Sequence, residues 1–172
     1  HLSLVGFGDR YPSLHDEIRF VEHSSHEVQQ STSPAQVLAM LLEGNGRFRA
    51  GEPLKRSMER QRAATASGQH PLAVILSCID SRSPAEAIFD LGLGDVLSVR
   101  VAGNITTEEV IGSIEFAAIV AGAKLVAVVG HTRCGAIESA VTNYCCPDRS
   151  LFPECVHAKG ILREVAKVVD ED

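Results

Sequence analysis

The stretch Leu72-Ala73-Val74-Ile75-Leu76-Ser77-Cys78 decides how the rest of the chain is read. A continuous apolar run with no helical period is the mark of a strand covered on both faces, and such strands belong to parallel sheets with crossover helices on either side. Working outward from it, Val96 to Val101 and Leu125 to Val129 read as further strands. Ser83-Pro84-Ala85-Glu86 reads as a capping box that opens a short helix through Phe89. Thr106-Thr107-Glu108-Glu109 reads as another, opening a helix whose Val110, Ile111, Ile114, Ala117 and Ala118 share one face. Three strand-helix units of this kind predict an α/β fold with a mainly parallel central sheet, right-handed crossovers and flanking helices, in three layers.

Upstream, Ser33-Pro34-Ala35-Gln36 is a capping box with Pro at the first helical position, and Val37, Leu38, Leu41 and Leu42 line one face of a helix running to about Phe48. Lys55 to Ser67 reads as a mostly polar helix closing at Gly68. Before Ser33 no sustained period appears, so residues 1–32 read as an arm or linker and residues 33–172 as the domain. After Cys134 only 38 residues remain, enough for one plausible helix at Ala158 to Val169 before an acidic stop.

Composition bounds the function. The chain has 172 residues, 45% hydrophobic and 22% charged, which suits one globular domain. Its 16 basic and 22 acidic side chains give a net charge of −6, with no Lys/Arg run to track phosphates, so nucleic acid is not an expected partner. The longest apolar runs, Leu72 to Cys78 and Leu125 to Gly130, fall far short of the ~20 residues of a membrane span, and the first residues lack a signal peptide's basic and apolar blocks. Cys78, Cys134, Cys145, Cys146 and Cys155 are an odd set in a core-rich chain. That argues for a reducing, cytoplasmic setting and for metal-binding or catalytic thiols rather than a disulfide framework.

Ligands of open parallel sheets bind at the carboxyl ends of the strands. Cys78 closes the first strand, His131 follows the third, and Cys134 lies three residues further on. Two thiolates and one imidazole suit Zn²⁺ and leave a fourth position open, the catalytic pattern. A cysteine at a strand end is equally at home as a small buried hydrophobe, so both readings stand at this point. Asp80, Ser81 and Arg82 follow Cys78. They read either as turn residues with a solvated cation, or as a carboxylate set to accept a hydrogen bond from water in the site while Arg82 holds it ionised. Ser83, as the predicted helix cap, relieves Asp80 of that duty.

These residues resemble the β-class carbonic anhydrases. Cys78-Ile79-Asp80-Ser81-Arg82 is similar to that family's C-x-D-S-R motif, and Gly130-His131-Thr132-Arg133-Cys134-Gly135-Ala136 to its G-H-T/S-x-C-G-A motif. Asp90 to Asp95 and Arg100 to Asn104 also look like the family, so the resemblance spans about Pro34 to Val141. It implies Zn²⁺ held by Cys78, His131 and Cys134, with Asp80 and Arg82 as a catalytic dyad. In some members the residue matching Asp80 moves onto the metal as a fourth ligand. The implied reaction is reversible hydration of carbon dioxide to bicarbonate and a proton, with activity rising with pH. The implied assembly is a homodimer, or a higher homo-oligomer, with the helix from Ser33 to Phe48 laid across the partner.

The chain departs from the family in places. Ile79 replaces a small polar residue often found there, and the short stretch after Cys134 leaves the domain incomplete at its carboxyl end by the family's standard. Cys145, Cys146 and Cys155 with His157 lack zinc-knuckle spacing and read as loop thiols, while His15, His23, His26 and His70 read as solvated. Leu4 to Phe7 and Leu14 to Asp16 look similar to the segment before carbonic-anhydrase-like domains fused behind sulfate-permease-type transporters. Two rival functions follow: a zinc-holding regulatory or oligomerisation domain without turnover, and hydrolysis of a carbon dioxide analogue such as carbonyl sulfide or carbon disulfide.

Overall fold

The computed structural model describes residues 24–146, 155 and 157–169. The transporter-like segment, His15 and His23 lie outside them. At the centre is a three-stranded sheet of β1 (Ala73–Ser77), β2 (Val96–Arg100) and β3 (Leu125–Val129), ordered β2-β1-β3 and parallel throughout. β1 occupies the middle, and every one of its residues is buried. This is the strand whose sequence is apolar without interruption, as a strand covered on both faces requires.

Among the described residues, six helices precede or connect these strands or follow them closely: α1 (His26–Ser31), α2 (Pro34–Ala50), α3 (Met58–Ala64), α4 (Ala85–Ile88), α5 (Glu108–Glu115) and α6 (Gly135–Cys145). A final helix, α7 (Lys159–Ala166), packs on α6. α2 begins as its sequence predicts: Ser33 Oγ accepts from the Gln36 N–H, and Gln36 returns a bond to the Ser33 N–H at 2.8 Å. It ends where Gly51 adopts a left-handed φ of 73°. Val37, Met40 and Leu41 of α2 join Val28, Leu72, Ala73, Ile75, Ala85 and Val96 in the main core on one face of the sheet.

The second face is covered by α5 and the wider helical turn that continues it, Phe116–Val120, where Ala117 is buried. The register pairs Val74 with Val126 and Leu76 with Val128, which places these β3 side chains on that same face. Val74 and Leu76 are sealed, whereas Val128 is 64% exposed and Val126 45%, so the cover stops short of β3.

Several local predictions need correction. Ser83 does not cap α4; Pro84 stands at the cap with no side-chain bond, and Ser83 Oγ contacts the Asp80 carbonyl at 3.4 Å. α5 is capped by Thr107, one residue later than the predicted box, through the Val110 N–H. Of the face predicted for α5, only Val110 and Ala117 are buried, while Ile111 is open to solvent. On α2, Leu38 and Leu42 are likewise half exposed. α3 is shorter than the polar stretch that suggests it, starting at Met58 under a Ser57 cap.

Within the stretch that showed no period, α1 forms under a Ser25 cap. Its Gln29 is buried and donates to the carbonyls of Pro71 (2.7 Å) and Ala121 (2.8 Å), tying α1 to the segments entering β1 and leaving α5. Six residues are too few to display a helical period. Among the described residues, no helix is long and apolar enough to cross a membrane.

Candidate metal centre

The carboxyl ends of β1 and β3 converge on one spot because the two strands are neighbours in register, Ser77 beside Val129. Cys78 follows directly from β1 and is 4% exposed. The loop after β3 carries His131 and turns sharply at Arg133, whose φ is +55°. Cys134 then stands at the cap of α6, buried. The sulfurs of Cys78 and Cys134 lie 3.8 Å apart, and the ligand atoms of Cys78, His131 and Cys134 all fall within 4.8 Å of one another.

This donor set fits a zinc ion. Two thiolates bound at ~2.3 Å with a tetrahedral angle between them are about 3.8 Å apart, the separation already present. His131 Nδ1 lies 3.0 Å from the Thr132 carbonyl, which selects the tautomer with the proton on Nδ1 and a lone pair on Nε2. Nε2 is buried without a hydrogen-bond partner. An orphaned buried acceptor costs about 1–3 kcal/mol, a cost that a cation between the three donors removes.

The electrostatics agree. Burial pushes the Cys78 thiol up, but the His131 ring, the Gly103 and Asp80 backbone N–H groups and Cys134 outweigh it and bring its pKa to about 7. The thiol beside it holds the His131 imidazole above its ordinary value. The cluster thus gathers nucleophilic sulfur at neutral pH in a place largely closed to water.

Asp80 stands at the rim of this cluster and outside the three converging donors. Its Oδ1 accepts from the Arg82 backbone N–H and Nε, each at 2.9 Å, and its Oδ2 from Nη2 at 2.7 Å. The fork of Arg82 holds the carboxyl well below the usual carboxylate range. Asp80 Oδ2 also lies 3.9 Å from His131 Nδ1, while Arg82 reaches the Arg133 carbonyl at 3.4 Å. Asp80 is therefore both a turn residue and one partner of an ion pair.

Sequence reasoning missed two contributors. Arg100 at the end of β2 donates to the carbonyls of Cys78 (3.0 Å) and Asp80 (2.7 Å). Gly103, at a φ of +69° in the turn Ala102–Asn104, lies where its backbone N–H lowers the Cys78 thiol's pKa. The parallel register was the available signal: it brings the end of β2 alongside Ser77. Cys145, Cys146 and Cys155 are exposed, and among the described residues only Cys78, His131 and Cys134 form a cluster able to hold a metal. His26 and His70 meet edge to face, with ring centroids 5.2 Å apart, rather than standing separately in solvent.

Fold and donor set together define a parallel α/β protein with a Cys₂His metal centre at its strand ends. The family model described as carbonic anhydrase matches residues 73–171, more than half of the chain, and the chain belongs to that family, in its β class. It is 47% identical over 112 residues to carbonic anhydrase 2 of Mycobacterium tuberculosis, covering 64% of this chain and 54% of the relative. It is 42% identical over 113 residues to the carbonic anhydrase of Mycolicibacterium smegmatis, covering 65% of this chain and 55% of that one. The chain thus spans about half the length of the curated relatives it matches. The solved beta-carbonic anhydrase CcaA shares the fold, with a TM-score of 0.50 and 23% identity over 74% of this chain and 60% of that one.

Proposed function

We propose that this protein catalyses the zinc-dependent, reversible hydration of carbon dioxide to bicarbonate and a proton, with Cys78, His131 and Cys134 holding the ion. The observation that carries the reading is the meeting of two buried thiols and an unpartnered imidazole nitrogen beside the Asp80–Arg82 pair. Zinc in such a site supplies a Lewis acid that brings the pKa of a coordinated water toward neutrality.

The chain's own residues do the remaining work. Cys78 and Cys134 hold two donors in place from a strand end and a helix cap, elements too rigid to drift. Asp80, kept ionised by Arg82, accepts a hydrogen bond from a water in the site and orients it; as a carboxylate it has no proton to give. Arg82 would also govern a second state, because an Asp80 carboxylate released from its fork would be free to join Cys78, His131 and Cys134 in holding the ion.

The same reading extends to assembly and setting. A homodimer is supported by the apolar side chains left open beside β3: Ile119, Val120 and Phe116 with Val126 and Val128. A cytoplasmic setting is supported by five unpaired cysteines. An arm over residues 1–32 and a domain over residues 33–172 is the proposed division, in which Val28 and Gln29 would anchor the end of the arm on the core. A place beside a membrane transporter is supported only by the likeness of Leu4 to Asp16 to such linkers.

The test is stopped-flow carbon dioxide hydration at equal zinc content. Asp80→Asn is expected to keep the metal and lose about 100-fold or more in turnover. Near-normal turnover in that variant refutes the dyad. Full zinc occupancy without turnover in the parent protein refutes the enzyme.

A further inference from the structure

Cys78 leaves β1 in a fixed direction, but Asp80 lies in the loop beyond, separated from it by Ile79, which is 61% exposed and so gives the loop little burial to hold it. Arg82, the partner of the Asp80 carboxyl, is itself 64% exposed, so that ion pair alone is a weak anchor. What ties this loop to the sheet comes from the neighbouring strand. Arg100 ends β2 directly beside Ser77, and the following Val101 N–H donates to the Ser77 carbonyl at 3.1 Å. From there the Arg100 guanidinium reaches over the loop, Nε to the Cys78 carbonyl at 3.0 Å and Nη2 to the Asp80 carbonyl at 2.7 Å. The Asp80 carbonyl also accepts from the Ser83 N–H at 3.1 Å, which closes the turn locally but does not connect it to the sheet.

We propose that Arg100 is a positioning residue of the metal centre: one guanidinium, bonded to the carbonyls on either side of Ile79, fixes the loop so that the Cys78 thiol and the Asp80 carboxyl face the site together. The chemistry favours arginine for this task. A guanidinium is planar and its N–H directions are fixed, so two bonds from one group set the relative orientation of two peptide planes, whereas a lysine ammonium acts as a point charge on a flexible stem. Arg100 touches neither a ligand atom nor the Asp80 carboxyl, and it acts through the backbone that carries both. Outer partners of this type are typically worth 10–100-fold in metal affinity or activity when removed.

The kinetic part of this inference rests on the proposed carbon dioxide hydration; the metal-binding part does not. The experiment therefore reads both, using Arg100→Ala and Arg100→Lys in the full chain. Co²⁺ titrated into metal-free protein is followed by its thiolate charge-transfer absorption. The expected result is an affinity about 10-fold or more weaker for Arg100→Ala, with Arg100→Lys in between and millimolar guanidinium restoring part of the loss in the alanine variant. Affinity within about twofold of the parent overturns the proposal, whatever the turnover.

In stopped-flow hydration, Arg100→Ala is expected to lower kcat about 10–100-fold with KM nearly unchanged, and to cost much less when Asp80 is already Asn, because the two act through one loop. Losses that simply multiply overturn the link to Asp80. A parent protein that binds Co²⁺ yet never turns over carbon dioxide sinks the proposed function and leaves the Co²⁺ result to decide Arg100. Should Arg100→Ala fail to fold by circular dichroism, Arg100→Lys carries the test, with a loss of about threefold or more expected and parent-like affinity overturning the need for a fork.

Discussion

Replacing Asp90 by Asn removes one negative charge from a place where two cations depend on it. The Asp90 side chain is 5% exposed and accepts from Arg47 Nε, from Arg56 Nη1 at 2.7 Å and from the Leu54 N–H at 3.1 Å, while Arg56 Nη2 also reaches the Asp90 carbonyl at 2.7 Å. These bonds pin α2 and the segment after it to the loop that leads into β2. Asn is the informative substitute because Asp90 sits at a φ of +47°, a region Asn tolerates well, so the change adds little backbone strain. Its amide still accepts one bond but turns an NH₂ toward the other guanidinium. Breaking a buried ion pair from one side costs about 3–5 kcal/mol. With Arg47 and Arg56 18% and 17% exposed, solvent screens them in part, and the lower end applies, about 3 kcal/mol. For a chain of this size that corresponds to a Tm lower by about 6–12 °C.

The pH dependence has a definite sign. Burial raises the Asp90 pKa, but Arg47, the Leu54 N–H and Arg56 together outweigh it, and the folded-state pKa lies below the ordinary value. A depressed carboxylate contributes stability that is complete above its unfolded pKa of ~3.9 and is lost as pH falls through the folded value. Urea unfolding of parent and Asp90→Asn, both with chelator so that no metal contributes, should therefore show the full gap at neutral pH and a narrowing gap below about pH 4. A gap under about 1 kcal/mol at neutral pH, or one that stays constant into acid, contradicts the reasoning.

Two further substitutions test the packing. A Cβ on Gly44 of α2 would overlap the Phe89 carbonyl, so Gly44→Ala should destabilise by about 2 kcal/mol despite alanine's ~1 kcal/mol helix advantage; a higher urea midpoint would show that the helices separate without cost. Ile119 is 80% exposed, and Ile119→Asp should convert the proposed dimer to a monomer in light scattering while the far-UV circular dichroism stays that of the parent. An unchanged solution mass places the interface elsewhere.

What the sequence made legible follows from what periodicity can report. Leu72 to Leu76 announced a central strand because no solvent-facing position interrupts it, and the structure seals that strand on both faces. Periodicity also tells which residues of a helix share a face, but not whether a neighbour covers it. Leu38, Leu42 and Ile111 keep their predicted alignment and remain open to solvent. Capping boxes carry a related ambiguity: three hydroxyl-led boxes were readable, yet Ser83 turned to the Asp80 carbonyl and Thr107 displaced Thr106, since a hydroxyl bonds to whichever backbone group its loop presents.

At the site, Cys78, His131 and Cys134 could be read because each stands where a strand or helix boundary fixes its direction. Arg100 could not, because its partners are carbonyls twenty or more residues earlier in the chain, and backbone acceptors leave no trace in residue type.

One zinc ion in the Cys78–His131–Cys134 cluster is proposed to make this protein a carbon dioxide hydratase. Metal-free protein titrated with Zn²⁺ and assayed for hydration at each addition tests it most directly. Turnover is expected to rise in proportion to added zinc, to break at one equivalent per chain and to be absent throughout the titration of Cys78→Ser. Turnover that is present before zinc is added, or that survives in Cys78→Ser at the parent level, would contradict it.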